Sequence, residues 1–275
     1  MPGVRHVAMC VANIDREAAF YTTLFGLVET ERGSTVRADY CYFIDGERHL
    51  ALLHYRSDAM AGIANSGSFL GAHHFGIQVE NLQDAQARCE AAGARFHFNL
   101  GDEQEGNFES KYRDPNGAIF DLSFGGWTGT PTQRVGKRLH RLADRSDAGA
   151  ATLCQVTVTV ADPARSAVFF CKAFGFREER PTPVASAARV DVSDGCFRIA
   201  FVRCAEKHAV IGVERGADYA GTHHLGFRVP DLRTFESCLV QAGGSIVSGL
   251  DSGRHPSFGE YYYADPEGIV FTVCS

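Results

Sequence analysis

The sequence predicts an α+β fold built from four βαβββ units, two in each half of the chain. The main observation is an internal duplication, which places each motif of the first half again 149 to 151 residues later. Three motifs show it: His-His-x-Gly at residues 73–76 and 223–226, Asp-Pro-x-Gly at 114–117 and 265–268, and Phe-Gly at 25–26 and 174–175. The second observation is that each half divides again into two runs of strand, helix and strands.

The first unit opens with a strand and a helix. Residues 4–11 form an apolar run that predicts a buried strand. Asp15 is placed to cap a helix, because the apolar side chains that follow it recur at helical spacing up to Phe25. Gly26 predicts the end of this helix, since glycine adopts the left-handed conformation of a helix C-cap without strain.

Further strands complete the unit. Residues 40–44 and 49–55 are rich in apolar and aromatic side chains, and the Asp45-Gly46 pair between them is a hairpin signal. The same order predicts the other units: residues 73–79, 84–93 and 96–124; residues 154–160 with a helix from Asp162-Pro163 to about 174; and residues 223–229 with a helix from about Asp231 to Ala242. Three consecutive strands per unit argue against a doubly wound sheet.

Composition narrows the class of protein. A chain of 275 residues with 45% hydrophobic and 22% charged residues is long enough for two globular domains. A net charge of −6, with one short basic stretch at 134–145, does not predict nucleic-acid binding. The sequence shows no membrane-spanning run and no signal peptide. Nine scattered cysteines without CxxC spacing predict free thiols in a reducing compartment, so we expect a cytoplasmic protein that binds no membrane.

The repeat sets the expected domain boundaries. Residues 1–126 form the first domain, residues 127–150 a linker, and residues 151–275 the second domain. The linker begins with a Trp-Thr-Gly-Thr-Pro segment and continues with a charged stretch, which is typical of a connection between domains. The sequence is compatible with a homo-oligomer.

Four βαβββ units, a strand-borne histidine near the start of a unit and an Asp-Pro-x-Gly turn near its end resemble the vicinal oxygen chelate superfamily. That superfamily includes glyoxalase I, methylmalonyl-CoA epimerase, fosfomycin-resistance proteins and type I extradiol dioxygenases. The resemblance covers nearly the whole chain and implies two cup-shaped half-barrel domains, each made of two paired units. It also implies metal ligands that project into a cup from the first and last strands of the paired units. The fold alone does not decide the reaction, because it hosts many chemistries.

The resemblance assigns the three metal ligands of the first half to His6, His74 and Asp121. The corresponding positions of the second half are Gln155, His224 and Thr272. Two imidazoles and one carboxylate suit Fe(II), with Mn(II) and Zn(II) as alternatives, and leave open positions for a substrate. The first cup is therefore the expected metal site, and the second is expected to be structural or a metal-free pocket.

A fourth ligand would indicate the glyoxalase or epimerase branch, and the resemblance places it on the strand at 49–55. Aligning the turns puts Leu50 or Leu52 there, and neither binds a metal. His54 shares their strand parity and is a candidate pocket residue. The neighbouring histidines His73 and His223 are expected to point away from the cup and to be structural.

The second half also resembles the type I extradiol dioxygenase signature at residues 253–268. His255 and Tyr262 match the residues that surround a bound catecholate in those enzymes. In the first half, Lys111 takes the place of that tyrosine. It shares the strand parity of Asp121, so it is expected either to pair with an anionic substrate oxygen or to lie at the rim of the cup.

These observations lead to three hypotheses. The first is a mononuclear metalloenzyme that binds a small aromatic substrate through vicinal oxygens and, with iron and O₂, cleaves a catechol ring as an extradiol-type dioxygenase. The second is a metal-dependent lyase or isomerase of the glyoxalase or epimerase type. The third is a metal-free protein that binds an aromatic small molecule or confers resistance to one.

Overall fold

The chain forms two eight-stranded sheets, one from each half, in a computed structural model. The structure describes residues 2–57, 70–101, 108–124, 151–179, 187–204, 220–254 and 260–275. The predicted linker at 127–150 lies outside the described residues. The sheets confirm the α+β class and the paired units of the two cup-shaped domains, because each sheet mixes parallel and antiparallel strands in the same order.

The two halves have the same sequence of elements. The first contains β1 (Gly3–Cys10), α1 (Ile14–Phe25), β2 (Val28–Ser34), β3 (Ala38–Ile44), β4 (His49–Tyr55), β5 (Gly71–Val79), α2 (Leu82–Ala91), β6 (Arg95–Leu100), β7 (Glu109–Arg113) and β8 (Ile119–Phe124). The second contains β9 (Thr152–Thr159), α3 (Pro163–Phe174), β10 (Arg177–Glu179), β11 (Ala187–Ser193), β12 (Arg198–Cys204), β13 (Gly221–Arg228), α4 (Leu232–Gln241), β14 (Ser245–Ser248), β15 (Tyr261–Ala264) and β16 (Val270–Cys274). Among the described residues, no helix combines the length and apolar character needed to cross a membrane.

Strand order explains how the two units of each half pair. The first sheet runs β2-β3-β4-β1-β5-β8-β7-β6, and the second runs β10-β11-β12-β9-β13-β16-β15-β14. The first strands of the two units, β1 and β5, are antiparallel neighbours at the centre of the first sheet. The strand β8 lies beside β5, so the three strands that carry His6, His74 and Asp121 are adjacent.

Helix ends follow the local sequence, with one correction. Gly26 ends α1 with a φ of 65°, and Asp162 caps α3 ahead of Pro163, as predicted. The N-cap of α1 is Asn13 rather than Asp15, because the Asn13 side chain accepts a hydrogen bond from the Arg16 amide. Asp15 lies in the first turn instead, where a carboxylate favours the helix dipole.

The strand faces of β4 differ from the prediction. Leu50 and Leu52 are buried in the main hydrophobic core, on the face that the helices cover. Ala51 packs against Ala8 in a separate small cluster on the cup face. Because side chains alternate along a strand, His49 faces the cup and Leu50 does not. The alignment of the hairpin turns placed the residues of β4 one position out of register. A shift of one residue exchanges the cup face and the core face of a strand.

The main core is continuous across the two halves. Phe25 of α1 stacks on Phe227 of β13 with ring centroids 4.0 Å apart. Phe170 of α3 likewise contacts Phe75 of β5, with ring centroids 5.8 Å apart. Each first helix therefore packs against the sheet of the opposite half, and aromatic burial across this interface supplies much of the apolar contact.

Two aspartates in matching turns join the halves symmetrically. Asp45 accepts a hydrogen bond from the Leu153 amide at 2.8 Å, and Asp194 accepts one from the Val4 amide at 2.8 Å. Each carboxylate also accepts two amide hydrogen bonds in its own turn, from residues 47 and 48 and from residues 196 and 197. Each aspartate therefore closes a hairpin and holds the opening strand of the other half.

Replacing either aspartate is expected to weaken the whole fold. Asp45→Ala and Asp194→Ala should each lower the free energy of unfolding by about 2–4 kcal/mol, because three amide groups lose a charged acceptor. Urea denaturation followed by circular dichroism measures this. Glu47→Ala is the matched control in the same turn, since its side chain is 56% exposed, and it should change stability by less than about 0.5 kcal/mol. An Asp45→Ala protein as stable as this control would contradict the assigned role.

The Asp-Pro-x-Gly turns also bridge the halves. The carboxylate of Glu267 accepts hydrogen bonds from the amides of Ala12 and Asn13 at 2.6 and 2.7 Å, just before α1. Asn116 of the first turn contacts Asp162, just before α3, in the same way. These turns therefore act on the scaffold, which explains why both copies retain them although the candidate ligands differ.

Candidate metal centre

The candidate site lies on the cup face of the first sheet, where β1, β5, β8 and β7 run side by side. His6 of β1 is opposite Gly76 of β5, and Gly76 is opposite Asp121 of β8. Lys111 of β7 is opposite Asp121 in turn. One row across the sheet therefore carries His6, Asp121 and Lys111, with a glycine in the gap.

Gly76 has a steric reason to be glycine. A β-carbon at this position would lie 1.8 Å from Cε1 of the His6 ring, which is far inside van der Waals contact. The His6 imidazole therefore fills the space above Gly76 and reaches towards Asp121. Gly76, the glycine of the His-His-x-Gly motif, leaves the room that the His6 imidazole occupies.

Four donor groups converge at this point. Nε2 of His6 lies 3.3 Å and Nε2 of His74 lies 3.1 Å from Oδ2 of Asp121. Oε1 of Glu109, on β7, lies 3.8 Å from Nε2 of His6. Donor atoms of these four residues all lie within 4.8 Å of one another, and all four residues are buried. The structure thus brings together the three predicted ligands and adds a fourth donor.

Sequence reasoning missed Glu109, which was expected neither as a ligand nor as a pocket residue. Its signal was available, because Glu109 and Lys111 differ by two positions on one strand and so share a face. Glu260 also stands 151 positions later, in the matching place of the second half. The resemblance placed a fourth ligand on β4, whereas Glu109 lies on β7.

The donor set fits a divalent ion. Separations of 3.1–3.8 Å between neighbouring donor atoms suit ligands that share one ion at bond lengths of about 2.0–2.2 Å. Two imidazoles and two carboxylates are the ligand types of Fe(II), Mn(II) and Zn(II) sites. His6, His74, Asp121 and Glu109 are therefore the residues that would hold the ion.

Lys111 lies within the cluster, not at its rim. Its Nζ is 2.8 Å from both carboxylate oxygens of Asp121 and 3.2 Å from Oε2 of Glu109. It also lies 3.4 Å from Nε2 of His74. The Lys111 residue is only 3% exposed, so its charge is balanced by protein carboxylates and not by water.

These charges control one another's protonation. Burial alone would raise the pKa of Asp121, but the Lys111 ammonium together with His74 and His6 outweighs burial and holds that pKa well below its usual range. Burial alone would lower the pKa of Lys111, and the Asp121 and Glu109 carboxylates raise it instead. Burial and the Lys111 charge lower the pKa of His74, which favours the neutral imidazole that a metal requires.

A β-bulge changes the predicted orientation of His73. Ala8 pairs with His74 and Met9 pairs with Ala72, so His73 is the extra residue between them. Nδ1 of His73 lies against Nδ1 of His74, rather than on the opposite face. This contact leaves Nε2 of His74 directed at the cluster. His223 and His224 repeat the arrangement in the second half.

The two histidines of β4 take different places. His49 is opposite His6 and only 1% exposed, and burial together with the His6 charge lowers its pKa to about 4. His54 is exposed, and its Nδ1 contacts the Val11 carbonyl at 2.9 Å. It shares the strand parity of the core residue Leu52, so the structure does not bring His54 to the cluster.

The second cup has a different interior. Glu260 lies 3.0 Å from the Arg189 guanidinium and 3.5 Å from Nε2 of His224, and the interaction with His224 and the Arg189 charge lower its pKa to about 2 despite burial. Tyr262 contacts His224 at 3.3 Å. His255 lies outside the described residues. Gln155 donates to Glu260 at 2.9 Å, which shows a polar network in the place of the first cup's donor set.

The fold and site define a paired-βαβββ protein with a candidate metal centre in one cup. Residues 3–122 match the Glyoxalase/Bleomycin resistance protein/Dioxygenase superfamily, and residues 155–274 match a glyoxalase-like domain. The chain belongs to this superfamily, as the repeated motifs predicted. No curated protein matches the sequence significantly.

Solved structures share the fold over almost the whole chain. A variant of 4-hydroxymandelate synthase from Streptomyces coelicolor is 13% identical with a TM-score of 0.67, covering 99% of this chain and 92% of that one. The 2,3-dioxygenase LapB from Pseudomonas sp. KL28 is 17% identical with a TM-score of 0.66, covering 98% and 91%. The Mn(II)-bound glyoxalase from Novosphingobium aromaticivorans is 17% identical with a TM-score of 0.64, covering 98% and 81%.

Proposed function

We propose that the protein is a mononuclear metalloenzyme that acts on a small molecule through two vicinal oxygens in the first cup. The observation that carries this proposal is the convergence of His6, His74, Asp121 and Glu109 on one buried point. The second cup has Gln155 and Thr272 in the places of His6 and Asp121, so the proposed reaction belongs to the first.

The number of donors bears on the type of reaction. Four protein donors would leave an ion fewer free positions than three, and two vicinal oxygens of one substrate would suit those that remain. Three protein donors would leave another position for O₂, as ring cleavage requires. Glu109 therefore favours a proton-transfer reaction of the lyase or isomerase type over the extradiol reaction. Bound at this site, the ion supplies positive charge next to the substrate oxygens.

Two side chains of the site suit proton transfer. Glu109 Oε1 stands 3.8 Å from its nearest imidazole partner, His6, which is further than Asp121 stands from either histidine. While Oε1 faces the donor cluster, Oε2, which contacts Lys111 at 3.2 Å, is the oxygen placed to accept a proton from the substrate carbon and return it. Lys111 supplies a positive charge that stabilises an anionic oxygen formed during this transfer.

Extradiol ring cleavage of a catechol is the second candidate. The His6, His74 and Asp121 set is by itself a two-histidine, one-carboxylate triad, the arrangement of non-haem Fe(II) oxygenases. Dioxygenases such as LapB also share the fold. Tyr262, the candidate partner of a catecholate, contacts His224 in the second cup instead. This position argues against its participation at the His6 cluster.

Metal content tests the shared part of both candidates. Protein purified without chelators is expected to contain about one divalent ion per chain. Asp121→Asn should remove it, because the central carboxylate contacts both imidazoles. Thr272→Val is the matched control at the equivalent position of the second cup and should keep the ion. A folded wild-type protein that binds neither Mn(II), Zn(II) nor Fe(II) would rule out this function.

The reaction itself is tested by two measurements. Proton transfer should exchange the hydrogen on the carbon beside the carbonyl of an α-hydroxy ketone in deuterated buffer, which NMR detects. Glu109→Gln should slow this exchange by about a hundredfold or more, whereas Glu260→Gln in the second cup should leave it unchanged. O₂ consumption with a catechol, measured with an oxygen electrode, would establish ring cleavage instead.

A further inference from the structure

The Lys111 ammonium occupies the place where the carboxylates of the candidate centre would meet a metal ion. It contacts both oxygens of Asp121 at 2.8 Å and Oε2 of Glu109 at 3.2 Å, so it already pairs with both acidic donors. His74 Nε2, a third donor, lies 3.4 Å from the same ammonium. A divalent ion would have to use these same atoms, at bond lengths of about 2.0–2.2 Å.

The ammonium and a divalent ion cannot share these donors without cost. Two cations a few ångströms apart in a buried site repel one another strongly, because little water screens them. Lys111 has a long side chain with several rotatable bonds, which allows its charged end to move while the backbone of β7 stays in the sheet. Asp121 and Glu109 therefore pair either with the Lys111 ammonium or with a divalent ion, and not with both.

The second cup provides an internal comparison. There the buried Arg189 pairs with Asp191 at 2.7 Å and with Glu260 at 3.0 Å, so a basic side chain again neutralises the inward glutamate. Gln155 and Thr272 replace the histidine and aspartate donors in that cup. Both cups thus hold an internal cation, but only the first combines it with two histidines and two carboxylates among the described residues.

We propose that Lys111 is a built-in competitor of the divalent ion: its ammonium holds Asp121 and Glu109 when the ion is absent and leaves them when the ion binds. This inference rests on the proposed function, since it concerns the same site. Lys111 is a positioning residue in this role, and it sets how tightly the first cup binds metal. Metal entry also frees a positive charge inside the cup, available to an anionic substrate oxygen.

Lys111→Met tests this proposal, because it removes the charge and keeps a long apolar side chain. Titration calorimetry with Mn(II) and Zn(II) should show binding at least about tenfold tighter than in the wild-type protein. Without metal, the variant should melt at a lower temperature, because Asp121 and Glu109 lose their cation. Added Mn(II) should then raise its melting temperature by more than it raises that of the wild type.

Arg189→Met is the matched control, since it removes the internal cation of the second cup. It should lose stability but retain wild-type metal affinity. Lys111→Gln serves if the Met variant fails to fold without metal, because glutamine keeps a hydrogen-bond donor beside Asp121.

Metal titrations of the wild type and the Lys111 variants distinguish the competitor role of Lys111 from the proposed function. Tighter metal binding in the Lys111 variants than in the wild type supports the competitor role. Equal or weaker binding in the variants overturns it, and the proposed function stands if the wild type binds the ion. Absence of binding in both proteins overturns the inference and the proposed function together.

Discussion

Gly76→Ala is expected to reduce metal affinity by about a hundredfold or more without unfolding the protein. The added methyl group would lie 1.8 Å from Cε1 and 2.3 Å from Nδ1 of His6, so the ring has to leave its position above β5. Once displaced, the imidazole no longer stands 3.3 Å from Asp121. Titration calorimetry with Mn(II) or Zn(II) measures the affinity, and circular dichroism shows whether the fold is retained.

Gly226→Ala is the matched control because Gly226 is the same motif position in the second half. Its β-carbon would lie 2.8 Å from Cβ of Gln155 and 3.0 Å from Oγ1 of Thr272, so some local strain is expected there as well. No metal donor of the first cup is involved, and metal affinity should stay at the wild-type value. Unchanged metal affinity in a folded Gly76→Ala protein would show that His6 is not a ligand.

Glu17→Gln is expected to remove most of the fall in stability between pH 5.5 and 8.5. Glu17 of α1 is fully buried beside Asp265 and Glu267 of the other half. Burial and the charges of these two carboxylates raise the pKa of Glu17 to about 8. Burial also raises the pKa of Asp265 to about 6. At neutral pH, Glu17 is therefore protonated beside Asp265 at the interface between halves.

The direction in which stability changes with pH follows from the pKa of Glu17 in the folded and in the unfolded chain. In the unfolded chain Glu17 ionises near pH 4.5, and in the folded protein near pH 8. The raised pKa of Glu17 stabilises the fold fully below the unfolded-chain pKa of 4.5. This stabilisation is lost as pH rises through the folded-state pKa of about 8. Wild-type protein should therefore lose about 2–4 kcal/mol over this range. Urea denaturation at several pH values measures the loss.

Tyr21→Phe is the control for this prediction. Tyr21 donates a hydrogen bond to Asp265 at 3.2 Å, so the variant disturbs the same cluster without removing a carboxyl. It should be less stable by about 1 kcal/mol at all pH values and retain the pH dependence. If Glu17→Gln has the same pH dependence as the wild type, another group is responsible. The equivalent of Glu17 in the second half is Ser166, which donates to Asp114, so the duplication does not require an acid here.

Much of the fold could be predicted because it depends on local signals and on the repeat. The Phe-Gly motif marks two helix ends with positive φ at Gly26 and Gly175, and the Asp-Pro-x-Gly motif marks two turns with positive φ at Gly117 and Gly268. These conformations favour glycine wherever the chain adopts them, so the sequence alone reveals them. Periodicity then gives the strands and helices between these points.

Side-chain direction was less predictable. His73 faces His74 because a bulge adds a residue to β5, and bulges have no reliable sequence signal at this position. The predicted orientation of β4 was wrong by one residue, so that His49 and not Leu50 faces the cup. An alternating pattern has only two phases, so a single misplaced residue reverses every side chain on a strand.

The sequence by itself determined the duplicated scaffold, the paired units and the difference between the halves at the positions of His6 and Asp121. Only the tertiary structure decided that Glu109 joins the donors and that the Lys111 ammonium lies between the two carboxylates. Distances between residues on separate strands depend on register and sheet curvature, which no local motif encodes. The physical reason is that donor convergence is a property of the assembled sheet, whereas the turns and caps that shape each unit are properties of a few neighbouring residues.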